Sequence, residues 1–462
     1  GGIARPITVK VGGGVEPETM SKEQAEANVA GKMNEGQRRV VDFVLGGDSV
    51  FFHGAAGTGK SFVLQTLVAL LRGKNGQSSV AVTAPTGIAA VGVGGVTVHK
   101  FIGAGLCGGP VGKVVGTVMK SQTAVTRWKQ TETIIIDEIS MLDGDLLDKM
   151  DHVGRATRNK HDVPFGGIQL IVTGDFSQFP PVSNGRGGDY SGRDPPFAFA
   201  SRAWQSARFR VVELTEVLRQ KDSRLVAALN QVRSGEVTRG SAASTLFHSL
   251  ARPLPIAPLS LSSSAGETGG NYRVVATRLY STNRNVDAEN QGELSKLPGK
   301  AVVLEGKDVG DDSAALETLR RNCPVPASLV LKPGAQVVLL RNVDDTLVNG
   351  SRGVVIGFVE KNTTDYVRHQ HSFRIHPKLA HIAESVFKVV PLVAFDNGRV
   401  LAVNPAEFSA HGGAGKYAER LQVPLKLAWA LTVHKSQGMT ISRLEVSLWD
   451  AFDYGQVYVA LS

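Results

Sequence analysis

From Met33 onward, short and nearly continuous apolar runs alternate with longer stretches of helical period. The runs Ser49–Phe52, Val80–Thr83, Ile134–Ile136 and Leu170–Thr173 carry almost no polar positions. Strands covered by helices on both faces read this way, so the runs predict a parallel sheet. The apolar stretch Phe62–Leu71 predicts a helix directly after the first of them. Each run exits into a small or polar residue: Gly54, Ala84, Asp137 and Gly174. In open α/β sheets ligands sit just outside the carboxyl ends of the strands. The four exits therefore predict one ligand site assembled from four segments.

A second set of β-rich runs follows: Arg273–Thr277, Gln336–Leu340, Val354–Val359, Val389–Ala394, Leu425–Leu431 and Leu444–Leu448. Residues 352–422 hold short strands and turns without a long helical period, which predicts a small β-barrel-like insertion in a second α/β domain. Residues 1–32 are Gly-rich and then mixed polar, and are expected to be a flexible lead-in. The Gly- and Val-rich stretch beginning at Gly92 predicts a small insertion between strands of the first domain. The Ser-, Pro- and Gly-rich part of residues 234–272 predicts a loop.

Composition narrows the class. The chain has 462 residues, 42% hydrophobic and 20% charged, which is globular rather than disordered and long enough for about three domains. No apolar run approaches the ~20 residues of a membrane-spanning helix. The net charge of +9 favours a polyanionic partner without establishing one. Two cysteines, Cys107 and Cys323, cannot form a disulfide framework or a four-cysteine zinc site, so a reducing compartment is expected. The chain begins at Gly1 and stops at Ser462 within an apolar stretch, as a fragment would.

The strongest chemical signal is Gly54-Ala55-Ala56-Gly57-Thr58-Gly59-Lys60-Ser61, between a predicted strand and a predicted helix. This is P-loop spacing. The glycines let backbone N–H groups close around phosphates, and the helix adds the positive end of its dipole. Lys60 is placed for the β- and γ-phosphates, and the Ser61 hydroxyl for Mg²⁺. Next, Thr133–Ile136 delivers Asp137 and Glu138 at a strand tip. Asp137 suits the hold on Mg²⁺, and Glu138 suits a base that orients the attacking water. Gln178, in the turn before Pro180 and Pro181, is placed to sense the γ-phosphate. Gln37, upstream of the P-loop, has an amide that can pair with adenine. Arg219, in Leu214–Gln220, can neutralise charge developing on the γ-phosphate from a helix across a cleft. Two Thr-Val-His-Lys segments, at 97–100 and 432–435, offer donors for a phosphodiester backbone.

Together these segments resemble the catalytic core of Pif-one-type DNA helicases, in the 5′→3′ branch of superfamily one, from about Met33 to Ser462. Gln37 matches the family's adenine-contacting Gln motif. GAAGTGKS, TAPTGIAA with TVHKF, DEIS, GDFSQFPPV and LTEVLRQKD resemble its first-domain and arginine-bearing motifs. PFGGIQL, within Asp145–Leu170, resembles the stretch separating the family from RecD-like relatives. LVNGSRGVVIGF, LKLAWALTVHKSQGMT and the final GQVYVALS resemble second-domain motifs. Ser177 stands where the family usually has an aromatic, and the given sequence ends at Ser462, before the position at which the family's last motif continues with an Arg.

The resemblance implies an α/β fold of two RecA-like P-loop domains, with a wedge insertion at about 92–128 and an SH3-like insertion at 352–422. The first domain would span 33–212, and the second 213–351 and 423–462. It implies ATP as substrate with Mg²⁺ as cofactor, and Lys60, Glu138, Gln178 and Arg219 as catalytic residues. Gln37, Gly54–Ser61 and Gly438 would contact ATP, with Ser61 and Asp137 on the metal. Pro85, Thr86, His99, Lys100, Phe101, Phe176, Asn349, Arg352, Thr432, His434, Lys435 and Ser436 would contact DNA. The expected activity is 5′→3′ translocation on single-stranded DNA and unwinding of forked or structured DNA, by a monomer with no membrane partner. The expected setting is DNA repair, recombination and telomere maintenance, in nucleus or mitochondrion. A non-translocating nucleotide switch or single-strand-binding protein with the same fold is the alternative. A RecD-like nuclease subunit fits less well, because PFGGIQL is present and no cluster of nuclease carboxylates is.

Overall fold

The computed structural model describes residues 21–181, 197–220, 222–251, 257–258, 273–310, 313–344, 346–347, 349–371, 373, 375–411, 417–437, 441, 443–447, 451 and 455–462. The predicted parallel sheet is present. Six strands, β1 (Val50–Gly54), β2 (Val80–Ala84), β3 (Val96–Thr97), β4 (Thr133–Ile136), β5 (Gln169–Gly174) and β6 (Arg210–Leu214), pair in the order β3-β2-β4-β5-β1-β6. Every pairing is parallel. The order places β1 in the interior, between β5 and β6, so the loop leaving it opens beside the exit of β5. The sheet runs to Leu214, two residues past the expected domain limit at 212.

Helices cover both faces, as the apolar runs require. On one face, helices α1 (Lys22–Gly31), α2 (Glu35–Leu45) and α3 (Lys60–Asn75) share a core with Val50, Phe52, Ile135 and Ile171. Residues 21–31 thus depart from the expected flexible lead-in. Ser21 and Gln24 form a reciprocal capping box, and Ala25 is buried against α3. Residues 1–20 lie outside the described residues.

On the other face, the stretch expected as an insertion at 92–128 forms helices Val98–Ile102, Val111–Met119 and Gln122–Gln130. Phe101, Ile102, Val114, Val118 and Trp128 are buried with Leu147 and Met150 of the helix Gly144–Arg158. Most of this stretch is therefore built into the first core. Leu106, 87% exposed, is its apolar tip.

The second half contains a smaller parallel sheet, Ala430–Thr432, Thr277–Tyr280 and Leu444–Val446, backed by the helix Asn283–Lys296. Between its strands lies antiparallel β structure that is wider than the 352–422 expected. Arg352–Glu360, Val389–Phe395 and Val400–Val403 continue into Gln336–Leu339 and Leu425–Leu427 in one sheet. Further antiparallel pairing begins at Val302. One apolar cluster unites this half and also takes in Phe179 from the first.

Candidate functional site

The P-loop is set by close packing rather than by its glycines' flexibility alone. Gly57 and Gly59 have φ of 84° and 83°, where side-chain-bearing residues are strained. A Cβ at Gly54 would lie 2.3 Å from the Leu214 carbonyl oxygen of the neighbouring strand. Lys60 folds back into the loop, donating to the carbonyls of Gly54 at 2.8 Å and Ala55 at 3.1 Å. Burial holds its amine below the usual lysine value, against the opposing pull of Asp175, Glu138 and Asp137. The Thr58 hydroxyl donates to the Ala55 carbonyl, and Ser61 is exposed at the start of α3.

Gln37 is held against the P-loop. It is completely buried. Its Oε1 accepts from the Asn34 N–H in the capping box of α2, and its Nε2 donates to the Thr58 carbonyl at 3.2 Å. In this structure the amide braces the P-loop from behind.

β4 delivers Asp137 and Glu138 beside the loop. Glu138 takes φ of 51°, and its N–H donates to Asp137 Oδ1 at 2.9 Å. Both carboxyls are buried. Burial raises Asp137 to about 6, and burial with the neighbouring Asp137 charge raises Glu138 to about 8. Glu138 Oε2 has no hydrogen-bond partner. Two adjacent buried carboxyls with an orphaned oxygen are chemistry that a cation relieves. Asp137 and the Ser61 hydroxyl fit Mg²⁺ held largely through a nucleotide. Among the described residues, no cluster of three or more His, Cys, Asp or Glu could hold a metal unaided.

Arg219 lies not on a helix but in the connection between β6 and the helix Ser223–Ser234. The N–H groups of Leu218 and Arg219 donate to the Gly57 carbonyl at 2.8 and 3.2 Å, and the Arg219 side chain is exposed. The buried Asp175 is held instead by Arg233, with Nη2 to Oδ1 at 3.1 Å and Nε to both oxygens at 3.2 Å. Sequence reasoning missed Arg233. A lone Arg near a helix end carries no signal until the fold brings Asp175 to it.

The second half closes over this site. Gln437 Nε2 donates to Gln178 Oε1 at 3.2 Å, which brings this side chain close to the Glu138 carboxyl. The Tyr458 hydroxyl accepts from the Ala56 N–H at 3.0 Å. Gln220 Nε2 donates to the Ser462 carbonyl. Gly455 packs so tightly on Gln178 that a Cβ would lie 2.2 Å from the Gln178 carbonyl oxygen. Gln437 and Tyr458 lie inside the motif-like stretches LKLAWALTVHKSQGMT and GQVYVALS, where spacing alone carries no sign of these contacts. Gly438 lies outside the described residues.

The two Thr-Val-His-Lys segments share a shape. In each, a strand ends on an extended Thr and a short helix follows, Val98–Ile102 after Thr97 and Val433–Ser436 after Thr432. His434 stacks on Phe179, with centroids 4.1 Å apart and planes at 14°. Lys435 sits on the short helix. Thr432 and Ser436 are buried, and the Ser436 hydroxyl is turned inward to the Val433 carbonyl. Pro85 and Thr86 are half-buried at the exit of β2, where the Thr86 hydroxyl accepts from the Ala89 N–H. His99 and Lys100 are half-buried, and burial with the nearby Arg127 charge lowers the Lys100 amine to about 8.

Four candidates have structural surroundings. Phe101 is 2% exposed, packed on Trp128 with Arg127 over its ring, and belongs to the core rather than to a DNA face. Arg352 is 1% exposed and donates to the Thr277 hydroxyl at 3.1 Å and the Arg443 carbonyl at 3.0 Å, with Asp396 at 3.8 Å. It ties strands together and does not reach solvent. Phe176 is half-buried among Phe51, Phe197, Phe199 and Trp204. Asn349 is half-buried, its N–H donating to Asn342 Oδ1 at 2.7 Å.

Known proteins place this geometry. The model of the PIF1-like helicase family matches residues 32–237, and that of the 2B domain of DNA helicase Pif1 matches 315–358. The ATP-dependent DNA helicase PIF1 of Emericella nidulans is 38% identical over 445 residues, covering 90% of this chain and 57% of that protein. The chain thus spans little more than half of that relative's length. The crystal structure of Pif1 helicase from Candida albicans aligns with TM-score 0.71 and 37% identity over 93% of this chain and 92% of that one. Bacteroides Pif1 in complex with ADP-AlF3 and single-stranded DNA aligns with TM-score 0.57 and 27% identity, over 93% and 89% of the two chains. With its P-loop, carboxylate pair and second-half closure in one arrangement, the chain belongs to the PIF1-like helicase family.

Proposed function

We propose that the chain is the motor core of an ATP-dependent DNA helicase that moves 5′→3′ on single-stranded DNA and opens duplexes at forks. The observation that carries this reading is the convergence of Lys60, Glu138 and Gln178 from one half with Gln437 and Tyr458 from the other. A site built from both halves changes when they separate, which is what a motor needs.

The residues divide the work. P-loop amides and Lys60 bind the phosphates of ATP. Lys60 must leave the Gly54 and Ala55 carbonyls to do so. Mg²⁺, bound with the nucleotide near Ser61 and Asp137, supplies charge neutralisation on the transferred phosphoryl group. Ionised Glu138 orients the attacking water and accepts its proton. In this reading Gln178 senses the terminal phosphate, and the exposed Arg219 side chain neutralises charge developing on it. His434 and Lys435 lie on the loop that continues to Gln437, so a grip on DNA and the state of the ATP site are linked through one short segment. Exposed Leu106 suits contact with bases at a fork.

The relatives' names and the Bacteroides complex support DNA as the polymer. A non-translocating switch is disfavoured, because hydrolysis is not needed there and Glu138 with its Gln178–Gln437 bridge is retained. The experiment is DNA-stimulated ATP hydrolysis together with unwinding of duplexes carrying either a 5′ or a 3′ single-stranded tail. Unwinding confined to the 5′ tail is expected. Stimulation without unwinding of either substrate favours the switch.

A further inference from the structure

Arg233 is the penultimate residue of the helix Ser223–Ser234, which ends on Gly235 with φ of 74°. A cation is favoured there by the carbonyls that end the helix. The helix is fixed by the buried Ala228 and Leu229, and by Gln231, whose Oε1 accepts from the Ala243 N–H at 2.9 Å. It also packs against the last helix, Gln456–Leu461, where the second half meets the cleft.

From that helix Arg233 reaches the exit of β5. Its Nε lies 3.2 Å from both oxygens of the buried Asp175, and its Nη2 lies 3.1 Å from Oδ1. Asp175 in turn closes the bend that follows it. Its Oδ1 accepts from the Ser177 N–H at 3.2 Å, and its carbonyl accepts from the Gln178 N–H at 2.9 Å. The bend is walled on both sides. A Cβ at Gly174 would lie 2.9 Å from the Ile139 nitrogen, next to Glu138, and one at Gly455 would lie 2.2 Å from the Gln178 carbonyl oxygen. From this frame the Gln178 side chain meets Gln437 at 3.2 Å.

We propose that Arg233 is a positioning residue for ATP hydrolysis, acting through Asp175 on Gln178. The role rests on the reading of this cleft as an ATPase site with Gln178 at the terminal phosphate. The guanidinium edge formed by Nε and Nη2 is occupied by Asp175, so the contribution of Arg233 passes through the bend. A planar fork on a carboxylate fixes orientation as well as distance. The bonds from Asp175 to the Ser177 and Gln178 amides carry that orientation into the backbone that presents Gln178. An amide that must meet a reacting phosphoryl group loses its effect when that backbone is free to shift. The helix that follows the first sheet thereby sets the geometry of the hydrolytic bend.

The test measures kcat and KM of DNA-stimulated ATP hydrolysis in wild type, Arg233→Ala, Arg233→Lys, Gln178→Ala and each Arg233 change combined with Gln178→Ala. Lysine keeps a positive charge beside Asp175 but cannot engage both carboxylate oxygens as the planar fork does. Arg233→Ala should lower kcat several-fold and leave KM within about twofold, because the bend serves the reacting phosphate and not nucleotide binding. Arg233→Lys should lose less. In the Gln178→Ala background neither Arg233 change should cost more than about a further twofold, since the group it positions is gone. A merely structural ion pair would cost the same factor with or without Gln178. Multiplicative losses, a loss confined to KM, or wild-type kcat in every Arg233 variant that folds overturns the proposal. Where Arg233→Ala does not fold, Arg233→Lys decides alone, and failure of both to fold makes the pair structural and overturns it too. Gln178→Ala with undiminished kcat overturns the placement of Gln178 at the terminal phosphate, and wild type without ATP hydrolysis overturns the ATPase reading, each taking the proposal with it.

Discussion

Gln437 donates to Gln178 across 3.2 Å, and three residues before it His434 stacks on Phe179, the next residue after Gln178. Two successive residues of one half are thus engaged by a single turn of the other. The Gln437 side chain also lies near Glu138. In the proposed motor, displacement of the 432–437 segment by DNA would disturb the Gln437–Gln178 contact beside Glu138. Coupling of this kind has physical content, because one rigid turn carries both contacts.

A double-mutant cycle tests that link. Gln178→Ala and Gln437→Ala should each reduce DNA-stimulated turnover several-fold, and the double variant should be no worse than the weaker single by more than about twofold. Residues in one hydrogen-bonded network are non-additive in this way. Multiplicative losses in the measured kcat would mean that the two amides act independently.

Lys60→Ala should abolish ATP hydrolysis and unwinding while leaving the thermal midpoint nearly unchanged. Its ammonium bonds only to P-loop carbonyls and packs no core. Normal turnover, or unfolding at ordinary temperature, would remove Lys60 from the phosphate site.

Glu138→Gln should bind ATP and hydrolyse it at least 100-fold more slowly, since the amide cannot take a proton. The same variant has a pH signature in the nucleotide-free protein. Burial raises the Glu138 carboxyl from 4.5 to about 8, so the fold favours the protonated form. Its contribution to stability is full below about 4.5 and is lost as pH rises through about 8. The thermal midpoint of wild type relative to Glu138→Gln should therefore fall across that window. A flat difference means that the carboxyl ionises freely.

Much of this was legible in the chain. The runs of β1, β2, β4 and β5 are apolar because both faces are covered, and the P-loop and carboxylate pair follow from spacing next to a strand. The rest depends on tertiary pairing. Ala56 and Tyr458 are 402 positions apart, and Asp175 and Arg233 come from separate elements. α1 is weakly amphipathic and buries Ala25 and Asn28, so its composition reads as a lead-in. Phe101 and Arg352 sit inside motif-like stretches, and only burial reveals that they support the site's surroundings.

Arg352→Ala should accordingly destabilise the protein by about 3 kcal/mol in denaturant unfolding, as loss of one partner from a buried charged network does. The Thr277 hydroxyl and the Arg443 carbonyl would each lose one donor, and Asp396 its nearby positive charge. DNA affinity of the folded fraction should change little. A selective loss of DNA binding with normal stability would return Arg352 to the DNA face.

Lys435 offers the sharpest test of the proposed DNA track. The short helix that carries it follows a strand-ending Thr, as the helix at 98–102 does, and its neighbour His434 is anchored by Phe179. In the proposed track this lysine grips phosphate rather than reading bases. Single-stranded DNA binding should weaken steeply with salt and differ little between sequences. Lys435→Ala should lower affinity about equally for two oligonucleotides of unrelated composition and reduce the salt slope by roughly one unit at most. The measurement is a salt titration of both oligonucleotides against wild type and variant. A slope that does not move, or a loss confined to one sequence, takes Lys435 off the phosphate track. The second-half grip would then rest on His434 alone, and alternating hold by the two Thr-Val-His-Lys turns would lose its electrostatic basis.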